Sequence, residues 1–102
     1  MEEQSRDFFY SLIRTPSPSG YEEKIQSVIK DYIRDVADEI RVDVHGNLVA
    51  AINPGAPYRV MLAGHCDQIG LIVNYIDAEG FVYVLSLGGW DPQTLVGVRV
   101  TI

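Results

Sequence analysis

A chain of 102 residues is one modest domain at most, and its 47 % hydrophobic content excludes wholesale disorder. A net charge of −6 with scattered Lys and Arg argues against nucleic acid or an anionic membrane surface as the main partner. The single cysteine rules out an intrachain disulfide and suits a reducing compartment.

Met1-Glu2-Glu3-Gln4 is acidic where a signal peptide would be basic and then apolar. No apolar run approaches the roughly 20 residues of a membrane span. A soluble, cytoplasmic protein is the expectation. Phe8, Phe9, Leu12 and Ile13 then form an apolar stripe at helical spacing, stopped by Thr15-Pro16-Ser17-Pro18. Ser19-Gly20-Tyr21-Glu22 reads as a capping box, with the Ser19 hydroxyl on an early helix amide and Glu22 reaching back. The helix it opens carries Tyr21, Ile25, Val28, Ile29, Tyr32, Ile33 and Val36 on one face. Glu23, Lys24, Lys30, Arg34 and Asp35 make the other face, which is read as solvated surface.

Near residue 40 the period changes. Ile40, Val42 and Val44 alternate with Arg41 and Asp43, and a turn at His45-Gly46-Asn47 leads into Leu48 to Ile52, which predicts a hairpin. In it Asp43 steadies the turn, and His45 is structural or solvent-exposed. Breakers at 53–57 mark a loop. The apolar run 59–63 predicts a strand covered on both faces. Strands at 69–76 and 81–87 follow, joined at Asp77-Ala78-Glu79-Gly80, and another is expected at 95–102. Two helices cannot cover six strands, and the last strand has no successor. The chain reads as the front part of something larger.

Val60 to Gly70 is the most informative stretch. An apolar run ends at Gly64 and delivers His65 and Asp67, two positions apart, onto one side of an extended segment, with Cys66 turned the other way. A neutral imidazole is a good zinc or cobalt ligand, and a carboxylate beside it can orient it. A lone His-x-Asp is nonetheless more often a polar strand end than a metal site.

The stretch gains meaning from its company. Thr15-Pro16-Ser17-Pro18-Ser19-Gly20-Tyr21-Glu22, Asp43-x-x-Gly46-Asn47, Gly64-His65-Cys66-Asp67-Gln68-Ile69-Gly70 and Gly88-Gly89-Trp90-Asp91-Pro92 before Leu95-Val96-Gly97 occur in that order. Together they resemble the tetrahedral-type metalloaminopeptidases related to glutamyl aminopeptidase, some of which bear an endoglucanase label. The resemblance implies an α/β fold: the N-terminal part of a phosphorylase/hydrolase-like metallopeptidase domain over 1–69, leading at 70–102 into an inserted β-rich dimerisation domain, with the remainder absent.

It implies further that His65 binds one metal ion and that Asp67 supports it. The other ligands (a bridging Asp, one of a Glu pair, another acidic residue and a His) lie beyond these residues, and the second Glu of that pair is the general base. The cofactors implied are two divalent ions, zinc or cobalt, in the complete enzyme, with none held tightly by this chain alone. The implied partners are a peptide substrate and copies of the same chain, built as dimers up to a twelve-subunit particle. Two positions depart from the family pattern: Cys66 stands where Met is common, and Gln68 where Glu is common. Gln68 removes a charge near the site but no ligand, and Cys66 reads as a small buried hydrophobe.

Competing chemistry fares poorly. Glycoside hydrolysis needs two carboxylates across a bond, and none are recognisably paired. A Cys66 nucleophile needs a base on its own side, and His65 projects to the other. Trp90 sits in a Gly-Gly to Asp-Pro loop and reads as packing rather than a substrate platform. Two readings remain: an N-terminal segment of a metal-dependent aminopeptidase, inactive alone, or a non-catalytic module that self-associates by strand pairing.

Overall fold

The computed structural model describes residues 2–102. The first stripe forms α1 (Glu3–Arg14), and Thr15 leaves it in an extended conformation ahead of Pro16. The second forms α2 (Glu23–Ile33). Phe8 of α1 stacks on Tyr32 of α2, ring centroids 3.7 Å apart, which fixes the two helices against each other. Ile25 on the inner face of α2 is the one buried hydrophobic side chain among the described residues.

The capping box is not made. Helix α2 is preceded by Glu22, and no side chain caps it. Gly20 takes φ of +90°, outside the helical region, so a helix cannot begin at Ser19. Glu22 does reach back, but its Oε1 accepts from the Gly20 amide at 2.6 Å. The Ser19 hydroxyl is spent elsewhere, as described below.

Strands β1 (Glu39–Val42) and β2 (Leu48–Ala51) pair antiparallel with Val42 opposite Leu48. Asp43 closes the turn as expected, its Oδ1 accepting from the amides of His45 and Asn47 at 2.9 and 3.0 Å. A second hairpin joins β3 (Gly70–Ile76) to β4 (Val82–Leu87), antiparallel, with an irregularity between Val73 and Tyr75. The two sheets are separate and two-stranded.

Two expected strands are absent among the described residues. Residues 59–63 form no strand and join no ladder, and Val60 and Leu62 are 90 % and 93 % exposed instead of covered on both faces. At 95–102 the chain makes a short 3-10 turn (Pro92–Leu95) and then runs on without a ladder. The physical reason is common to both. Apolar alternation supplies strand propensity, but a strand exists only where a neighbour takes its hydrogen bonds, and neither segment is paired along an edge of either hairpin.

The result is open. Its Cα radius of gyration is 17.9 Å, against about 13 Å for a compact domain of this length, and it extends 60 × 33 × 22 Å. No helix is long and apolar enough to cross a membrane among the described residues.

Candidate metal centre

The most buried of the described residues is polar. Ser17, with no exposed surface, sits in the turn between α1 and α2 and clasps the segment that follows the unpaired run. Its hydroxyl donates to the Cys66 carbonyl at 3.0 Å, and its carbonyl accepts from the Gln68 amide at 2.8 Å. The Ser19 amide in turn donates to the Gln68 carbonyl at 3.2 Å, so Pro18 and Gln68 form an isolated parallel bridge. Close approach is possible because residue 70 is glycine. A Cβ there would lie 2.9 Å from Pro18 Cβ.

On this seat His65 and Asp67 meet as their spacing predicts. Nδ1 of His65 lies 2.9 Å from Asp67 Oδ1. A carboxylate can only accept, so Nδ1 is the donor, and in the neutral ring the lone pair then lies on Nε2; the side chain is 86 % exposed. The Ser19 hydroxyl donates to Asp67 Oδ2 at 2.5 Å, short as hydrogen bonds to a charged acceptor are. Both carboxylate oxygens are thereby engaged. The Ser19 hydroxyl first, and then His65, hold the Asp67 carboxyl below its ordinary range.

Cys66 Sγ accepts from Gln26 Nε2 of α2 at 3.5 Å. Burial, with Glu22 and Asp67 nearby, pushes its thiol up, the reverse of what a thiolate nucleophile requires. A small cavity of about 190 Å³ beside the pair is lined by His65, Cys66 and Asp67 together with Glu22, His45 and Asn47. The sequence had assigned His45 to the turn alone; the fold also brings it to this cavity. Trp90 is half-buried in the loop after β4, and its Nε1 finds no acceptor among the described residues.

The donor chemistry fits one position of a metal centre: a neutral imidazole, its far nitrogen backed by a carboxylate, its near nitrogen open. It does not make a whole one. A zinc site takes three or four protein donors, and no group of three His, Cys, Asp or Glu side chains converges among the described residues.

Sequence reasoning missed Ser19 as a partner of Asp67, because Ser19 matched a helix cap, and it gave Ser17 no part in tying the turn to residues 66–68. The signal available was Gly20, which interrupts the helix the cap would have started, and Pro18, which cannot belong to a helix interior.

A histidine hydrogen-bonded to a carboxylate in this geometry, on a mixed α/β fold, belongs to a recognisable class, and comparison identifies it. The pattern of M42 glutamyl aminopeptidases matches residues 46–102. Lysyl aminopeptidase of Pyrococcus furiosus is 42 % identical over 90 residues, covering 87 % of this chain and 26 % of that protein. The crystal structure of a TET aminopeptidase from the marine sediment archaeon Thaumarchaeota archaeon SCGC AB-539-E09 superposes with a TM-score of 0.84 at 35 % identity, over 91 % of this chain and 26 % of that one. PhTET1-12s, a dodecamer in the asymmetric unit, gives 0.76 at 32 % identity, over 89 % and 27 %.

The chain belongs to the M42 family of dinuclear metallopeptidases. Its fold resembles the N-terminal part of those aminopeptidases, and it spans about a quarter of the length of the relatives it matches.

Proposed function

We propose that these residues supply one metal ligand and its support to a two-metal aminopeptidase that removes N-terminal residues from peptides. The observation that carries the reading is the His65–Asp67 pair, with Nδ1 on the carboxylate and Nε2 open to solvent. His65 would hold one of two divalent ions, zinc or cobalt, through Nε2. The chemistry such a pair supplies when bound is polarisation of an amide carbonyl and activation of water for its hydrolysis. Asp67 keeps the proton on Nδ1 and the ring in place. The general base and the remaining ligands come from outside these residues, so catalysis belongs to a polypeptide of the relatives' length.

The same reading divides the chain near residue 69, with 1–69 in the catalytic domain and 70–102 opening a β-rich dimerisation domain. The separate β3–β4 hairpin supports that division. It also takes the protein to be cytoplasmic and assembled from dimers, in keeping with the dodecameric PhTET1-12s.

Aminoacyl-p-nitroanilides and metal analysis test it. The purified 102-residue chain in millimolar zinc or cobalt is expected to give no chelator-sensitive turnover, whereas the polypeptide of full family length hydrolyses the substrate and retains two ions per chain. Metal-dependent turnover by the short chain would sink the proposal, as would a full-length protein that binds no metal.

A further inference from the structure

Ser19 has two polar groups, and the fold uses them for different ends. Its backbone amide closes the bridge to Gln68, a task any residue but proline performs. Its hydroxyl has no helix to cap, because α2 begins at Glu23. The partner of that hydroxyl is Asp67 Oδ2. The hydroxyl's partner is therefore the carboxylate, while the backbone of the turn is joined to the segment by the Ser19 amide and by Ser17.

What it does there follows from the freedom of an Asp side chain. The terminal torsion of a carboxylate is broad and roughly two-fold, so Oδ1 alone, 2.9 Å from Nδ1, does not fix its plane. Pinning Oδ2 does. With the plane fixed, Oδ1 stays in line with the Nδ1 proton, and the imidazole keeps the tautomer whose open nitrogen is Nε2.

We propose that Ser19 is a positioning residue of the metal centre: its hydroxyl sets the Asp67 carboxylate, which orients His65 for metal binding. The inference rests on the reading of His65 as a ligand and adds to it a residue 46 positions upstream, in the turn between the helices. Ser17, two residues away, is the internal control. It is fully buried and ties the same turn to Cys66 and Gln68, yet it does not touch the carboxylate.

The experiment uses the polypeptide of full family length, stripped of metal and titrated with cobalt(II), whose visible absorption reports its coordination directly. Ser19→Val and Ser19→Thr have the same shape and differ by the hydroxyl. The Val variant is expected to weaken cobalt binding at the His65 position by about 10-fold and to shift the band, as loss of an outer hydrogen-bonding partner does, while Thr restores both. Ser17→Ala is expected to lower the unfolding midpoint and leave the cobalt titration in place. Ser19→Ala removes the same hydroxyl without branched methyls, and carries the test if the Val protein fails to fold. Identical titrations of Val and Thr would overturn the proposal, and so would a Ser17→Ala shift as large as that of Ser19→Val. A parent protein that takes up no cobalt would instead overturn the reading of His65 itself.

Discussion

Residues 59–63 and 66–70 are near neighbours in sequence and opposites in structure. The first five, Arg59 to Ala63, are mostly apolar and unpaired, with side chains such as Val60 and Leu62 almost wholly exposed. The second group, apart from Ile69, is polar or small, yet Ser17, Pro18 and Ser19 hold it in a dense set of short contacts. Hydrophobicity marks the first as the more structural of the two, and the fold reverses that order. A strand needs partners that can lie anywhere in a protein, whereas this site is closed by the turn between α1 and α2, which these residues already contain. The His65–Asp67 contact is thus made even though residues 59–63 stay unpaired.

The sharpest way to separate the roles within the second group is substitution at full family length. His65→Ala is expected to cost the most, removing a metal bond, and Asp67→Ala follows with a loss of about 10–100-fold in turnover. Cys66→Ala is expected to leave turnover near the parent, because its side chain turns toward Gln26. Steady-state kinetics with aminoacyl-p-nitroanilides check the ranking, and comparable damage at Cys66 would undo the assignment of faces.

Next in size is the tightness of the seat. Gly70→Ala places a methyl 2.9 Å from Pro18 Cβ, and the turn must shift to admit it. A loss of about 1–3 kcal/mol is expected, read as a lower urea midpoint. An unchanged midpoint would mean that the turn yields freely.

Hydrogen exchange on the 102-residue chain compares the two stretches directly. The Gln68 and Ser19 amides are bonded and should exchange more slowly than those of 60–63. Equal rates would show that the clasp does not form without more protein.

The smallest expected effect is electrostatic and lies outside both stretches. Asn47, through its side chain and then its amide, holds the Asp43 carboxyl below its ordinary 3.8. A depressed carboxyl stabilises the fold above that ordinary value, and the contribution is lost as pH falls through the folded value. Acid titration of the first hairpin by circular dichroism should therefore show a limb below pH 3.8 that Asp43→Asn flattens.

The His65–Asp67 contact was legible beforehand, because a two-residue spacing on an extended segment dictates a common side whatever surrounds it. The first hairpin was legible for a similar local reason: Asp43, Gly46 and Asn47 write the turn. The strands expected at 59–63 and 95–102 were not, since the alternation that predicts them says nothing about where a partner lies. Ser19 failed differently. Its residue type suits a cap and an acceptor's neighbour equally well, and the choice was made by Asp67, which is 48 positions away.

Pro18 gives the clasp one more property. In a parallel bridge the residue opposite Gln68 contributes neither of the two hydrogen bonds; its neighbours Ser17 and Ser19 do. Proline occupies the one place where an absent N–H costs nothing. Slide the turn one way and Gln68 would face an N–H that Pro18 does not have. Slide it the other way and the required amide is that of Gly20, already bound by Glu22. The turn behaves as a keyed fitting: it seats in one register, and that register is the one that brings the Ser19 hydroxyl to Asp67.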